Sequence, residues 1–78
     1  MVDQKSGIPF DKITNYLGKE MSVDLKNHHI IKGILQFYHL NEQMIHLVNW
    51  HEYNENNGEL RTGSYMVINR TAWFQLYQ

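Results

Sequence analysis

The chain contains no cysteine. Disulfides and thiolate metal sites are thereby excluded, and a reducing compartment is compatible with the composition. The expected location is the cytoplasm. A dominant charge of one sign is also missing. Seven Lys and Arg stand against eight Asp and Glu, a net charge of -1. Any contact with nucleic acid must therefore come from a local patch exposed by geometry, not from bulk charge. No apolar run approaches the roughly 20 residues of a transmembrane helix. Residues 1–7, MVDQKSG, are polar and lack the apolar core of a signal peptide. Internal repeats and low-complexity segments are absent.

Catalytic signatures are scarce too. There is no Gly-rich phosphate loop, and nothing around Ser6, Ser22 or Ser64 suggests an activated nucleophile. Five histidines invite a metal reading. His28 and His29 are adjacent and point to different sides if extended; His39, His46 and His51 form no HxH or HxxxH pair, and no HExxH occurs. No enzyme, no metal and no cofactor is the expectation.

What the chain does have is 78 residues, 42% of them hydrophobic. That is one domain with one core, and a core of this size is marginal alone. Without disulfides or metal, oligomerisation is the remaining means of support. Residues 1–8 are expected to be a mobile tail. Pro9 suits a first helical turn, Asp11 favours the positive helix end, and Gly18 is a stop. Phe10, Ile13, Tyr16 and Leu17 make one apolar stripe, which predicts a helix over 9–17 that covers an open end of the fold.

Strand signals follow. Met21, Val23 and Leu25 alternate with Ser22, Asp24 and Lys26, a period of two. Asn27-His28-His29 breaks the run, and Asn tolerates the positive φ of a tight hairpin. In 30–38, Ile31, Gly33, Leu35 and Phe37 share a face. The central Gly33 predicts a bend or a close backbone approach. In 44–50, Met44, His46, Val48 and Trp50 oppose Ile45, Leu47 and Asn49. Residues 52–58 read as a loop. Residues 60–69 are apolar on both faces, and 71–77 form a last β-branched and aromatic run. One short helix and five strands result. The long, Gly-interrupted second strand suits a strongly bent antiparallel sheet in a small barrel.

This series resembles the Sm/LSm family, including its bacterial Hfq branch. The resemblance rests on Gly18-Lys19-Glu20, Val23-Asp24-Leu25-Lys26-Asn27, Ile31-Lys32-Gly33-Ile34-Leu35 and Phe37, and covers about residues 9–76. It implies an Sm-like domain over 9–78: a five-stranded, bent antiparallel sheet closed into an SH3-like barrel. It also implies a homo-oligomeric ring in which the fourth strand of one subunit pairs with the fifth of the next. Tyr65, Met66, Val67 and Ile68, with Trp73 and Phe74, then become interface residues. Physical chemistry agrees, because apolar edge strands left open on a soluble monomer invite aggregation. The alternative is that these residues form the core of the chain itself.

The function implied is non-catalytic binding of single-stranded RNA at the pore, as a scaffold or chaperone. Bases stack on flat side chains, an amide reads a base edge and a cation holds phosphate. The matching positions are Asn41, with His39 or Tyr38 for stacking, and Asn69 with Arg70 after the fourth strand. Here the sequence departs from the family. Tyr38 replaces the usual Asp, the loop from His39 to Gln43 is one residue longer, and Ile68-Asn69-Arg70 replaces Ile-Arg-Gly. Each residue also has a plainer role: Asn41, Asn69 and Arg70 as turn formers, Tyr38 as a packed rim aromatic, Trp50 and Trp73 as core or interface. The rival function is a protein-interaction or scaffold module of SH3-like shape without RNA binding.

Overall fold

The computed structural model describes residues 7–78. A 3₁₀ helix, Phe10–Tyr16, precedes β1 (Glu20–Leu25), β2 (Ile30–His39), β3 (Met44–Tyr53), β4 (Glu59–Ile68) and β5 (Trp73–Tyr77). A short 3₁₀ turn, Arg70–Ala72, joins β4 to β5. All pairings are antiparallel, in the order β4-β3-β2-β1-β5. The mainly β architecture with a short N-terminal helix is the one expected. Of the tail predicted over 1–8, only Gly7 and Ile8 lie among the described residues. The Ile8 amide donates to the Leu76 carbonyl at 2.7 Å.

The helix is shorter and tighter than predicted. Pro9 sits at its N-cap, and the Lys12 amide bonds the Pro9 carbonyl at 2.9 Å, an i to i+3 closure. Thr14 and Asn15 are weak α-helix formers, and so short a segment gains little from propagation. Its work is done by Ile13, which is fully buried.

One cluster holds the fold together. It comprises Ile13 of the helix, Met21 and Val23 of β1, Ile31 and Leu35 of β2, Ile45, Leu47 and Trp50 of β3, Ile68 of β4, and Trp73 and Leu76 of β5. β4 and β5 are the two ends of the sheet, yet Ile68 and Trp73 share this core. The sheet must therefore curl strongly. It does not close, however: among the described residues no ladder joins β4 to β5. The strongly bent antiparallel sheet is the one expected; its closure into a barrel is not seen, and β4 and β5 each take part in a single ladder among the described residues.

Three irregularities shape the bend. In β3, Val48 pairs with Ile34 and His51 with Lys32, so Asn49 and Trp50 together face Gly33. Asn49 takes a φ of 52°. This bulge reverses the alternation and brings Trp50 inward beside Leu47, where simple alternation put the two on opposite faces. A Cβ on Gly33 would lie 3.1 Å from that of Trp50 and 3.2 Å from that of Leu47, the close approach its position predicted. In β2, the register shifts between Leu35 and Phe37. Phe37 turns outward, 53% exposed, while Tyr38 packs against the core. In β5, Asp24 faces Gln75 but Leu25 faces Trp73, so Phe74 is the extra residue and protrudes.

Smaller differences have local causes. In the β1–β2 hairpin it is His28, not Asn27, that takes positive φ, 74°. Asn27 instead accepts the His29 amide at 3.0 Å through its side chain. β3 runs on to Tyr53 because Glu52 is buried and paired, so the polar loop begins at Asn54.

Candidate nucleic-acid interface

The ladder places the two expected RNA segments side by side. His39 ends β2 opposite Met44, and Ile45 of β3 pairs with Ile68 of β4. The turn 40–43 and the segment 69–72 therefore leave the same end of the sheet. Tyr38, His39, Asn41, Asn69 and Arg70 all belong to that end, but they do not share one surface. Asn41, Asn69 and Arg70 are exposed. Tyr38 faces the core. His39, its neighbour in an extended strand, faces out.

Arg70 is already engaged. Its Nη1 donates to the Trp73 carbonyl at 2.8 Å, and its guanidinium carbon lies 4.2 Å from the Trp73 ring centre. A planar cation stacked on an aromatic is held in place while keeping further N–H groups. Arg70, Gln43, Phe10, Trp73 and Phe74 line a shallow cavity of about 410 Å³ at this end.

Outward-facing aromatics form a cluster that strand alternation did not reveal. Phe37 lies edge-on to His39, 5.0 Å between centres, and to His46, 5.5 Å. His39 and His46 are 5.2 Å apart. Nδ1 of His46 is hydrogen-bonded to the Tyr65 hydroxyl. Sequence spacing gives His46 no aromatic partner, because only the shift in β2 brings Phe37 out beside it. Burial, and next the charge of His39, hold the His46 imidazole below its ordinary value. A histidine harder to protonate when folded means the unfolded chain binds more protons in that interval, so stability falls as pH drops through it. Urea midpoints should decline as pH falls below the ordinary histidine value of about 6.5. His46→Gln should flatten that decline; an unchanged slope would place the titration elsewhere.

The six expected interface residues divide. Tyr65, Val67 and Phe74 are 52%, 45% and 67% exposed, and Met66 is half-buried. Ile68 and Trp73 lie in the core of the chain itself, where Phe10 stacks on Trp73 at 6.0 Å. What those two could offer a neighbour is backbone.

Away from this end, Glu52 is buried and bound on both sides. It accepts His29 Nδ1 at 2.8 Å, Arg61 Nε at 2.8 Å and Arg61 Nη2 at 2.7 Å. Burial pushes its carboxyl up, but the hydrogen bonds from His29 and Arg61, with their charge, more than offset this and hold it below the usual range. Among the described residues no three His, Cys, Asp or Glu side chains gather as metal ligands, and no helix is long and apolar enough to cross a membrane.

A small, strongly bent five-stranded sheet capped by an N-terminal helix defines a class, and known structures say which. An archaeal SmAP (LSm) protein from Methanococcus vannielii superposes with a TM-score of 0.73, covering 90% of this chain and 93% of that one, at 20% identity. A heptameric archaeal Sm protein gives 0.72, with 86% and 94% covered and 21% identity. A chain of the NatC complex bound to CoA gives 0.74, with 99% and 87% covered and 16% identity. No family model and no curated protein matches the sequence. The fold is Sm-like.

Proposed function

We propose that the chain assembles head to tail into a closed ring and binds single-stranded RNA where turns 40–43 and 69–72 emerge, as a non-catalytic scaffold or chaperone. The observation that carries this is the strand order. β4 and β5 are opposite ends of one sheet, so each copy offers one edge of each kind. Pairing β4 of one copy with β5 of the next would give each strand a second ladder, with the Ile8 and Arg70 bonds to the Leu76 and Trp73 carbonyls giving way where the ladder needs them. A head-to-tail contact whose rotation closes gives a finite ring. It would also cover Tyr65, Val67 and Phe74, which a monomer leaves wet. The heptamer formed by the archaeal Sm protein supports this arrangement. RNA contact falls to Asn41, His39, Asn69 and Arg70, with Tyr38 supporting them from the core side. The cytoplasm suits a chain without cysteine.

The similarity to a chain of the NatC complex supports the second reading, a protein-interaction module of the same fold. One experiment separates them. Native mass spectrometry without nuclease treatment should give a single closed oligomer. Oligouridine binding should weaken steeply with salt. Arg70→Glu should lower affinity at least about tenfold without changing the oligomer mass, and Arg70→Lys should retain part of it. A closed ring without oligonucleotide binding would favour the protein module. A monomer would remove the edge-pairing argument.

A further inference from the structure

We infer that His39 and His46 form a two-histidine site for a divalent transition metal ion, Cu²⁺, Ni²⁺ or Zn²⁺, on the outward face of β2 and β3. This does not rest on the RNA reading.

The ladder sets the geometry. Phe37 pairs with His46 and His39 with Met44, so the two histidines are diagonal neighbours on one face. Their ring centres are 5.2 Å apart, with planes tilted by 43°. Two imidazoles on one ion, each nitrogen about 2.0–2.1 Å from it, have ring centres roughly 5 Å apart at tetrahedral or square angles. The 5.2 Å separation of the two rings matches that spacing. Phe37 stands edge-on to both rings, at 87° to His39 and 83° to His46.

Tyr65 supplies orientation. It bonds Nδ1 of His46 from β4, while His39 approaches from β2 on the other side of β3. With Nδ1–H donating to the hydroxyl, Nε2 carries the free lone pair, on the side of the ring away from Tyr65. Metal-binding histidines are commonly held this way through their second nitrogen.

The donor set selects the ion. Imidazole nitrogens suit Cu²⁺, Ni²⁺ and Zn²⁺, with Cu²⁺ held most tightly. Mg²⁺ and Ca²⁺ require oxygen. Among the described residues no third His, Cys, Asp or Glu joins the pair, so water completes the shell. Sequence spacing does not disclose the site, because the two histidines meet only across the turn 40–43.

Isothermal titration of the full chain with Ni²⁺ and Zn²⁺ tests the proposal, with circular dichroism to verify that each variant folds. One ion per chain is expected. His39→Gln and His46→Gln should each abolish binding, and the His28→Gln, His29→Gln double variant should leave it unchanged. Tyr65→Phe keeps the ring but not the hydroxyl, and should weaken binding at least about tenfold. Should His46→Gln misfold, His39→Gln at the end of its strand decides alone. Absence of saturable binding overturns the proposal. So does binding that survives His39→Gln, or that is lost only with His28 and His29.

Discussion

Gly63→Ala is expected to destabilise the chain by about 3 kcal/mol, a large effect for one methyl group. Gly63 pairs with Trp50 across the β3–β4 ladder, and the indole lies against it. A Cβ at position 63 would stand 2.6 Å from Cζ2 of Trp50 and 2.7 Å from Cε2. The ring has nowhere to retreat. Its own Cβ already abuts Gly33, and its Nε1 donates to the Tyr65 carbonyl at 3.0 Å. Overpacking costs roughly 1–3 kcal/mol. Pulling the indole away strands its part-buried donor, at up to about 1–3 kcal/mol more. Urea unfolding at fixed protein concentration measures the change, since assembly would add its own stability. Combining Gly63→Ala with Trp50→Leu should cost less than the sum of the two. An unchanged midpoint for Gly63→Ala would mean that the indole is not seated there.

That contact also marks how far the fold could be read from the sequence. Period-two alternation marked the first three strands, and apolar, β-branched and aromatic runs marked the last two. It failed at the bulges. An extra residue at Asn49 moves Trp50 onto the face of Ile45 and Leu47, and nothing in the local composition announces it. The same holds at Gln36, where a one-residue shift exchanges the faces of Phe37 and Tyr38. At the hairpin, Asn27 signalled a turn, but which residue takes the left-handed conformation depended on which side-chain oxygen captures the His29 amide.

The candidate site was legible in a different degree. Turn residues Asn41, Asn69 and Arg70 stand at the end of the sheet that their place between strands required. Arg70 against Trp73 could not be foreseen, since the short 3₁₀ turn 70–72 is what folds the guanidinium back. His46 was invisible because its significance depends on Phe37 and Tyr65, its neighbours on two different strands. A free strand edge, by contrast, follows from strand order alone, and strand order is what local patterns leave open.

Glu52 should show the second large effect, and one that depends on pH. Glu52→Gln removes the charge but keeps the shape, so it loses the charge-assisted part of the hydrogen bonds from Arg61 and His29. Hydrogen bonds to a charged group contribute about 1.5–3 kcal/mol. Arg61 is two-thirds exposed and regains water when released, which discounts its share. A loss of about 2 kcal/mol at neutral pH is expected for Glu52→Gln, and a larger one for Glu52→Ala, which adds a cavity. The sign with pH follows from a carboxyl held below its ordinary value. Its stabilisation is fully present above the unfolded carboxylate value of about 4.3, and is lost as pH falls through the lower folded value. The gap between wild type and Glu52→Gln in urea midpoint should therefore be steady near neutrality and shrink in acid. A gap that persists undiminished in strong acid would show that shape, not charge, is what Glu52 supplies. Glu52 ties β3 to the β1–β2 hairpin through His29 and to β4 through Arg61. Its loss should therefore loosen both, and amide exchange in the hairpin and along β4 should rise together. Faster exchange in only one of them would mean that the two bonds act independently.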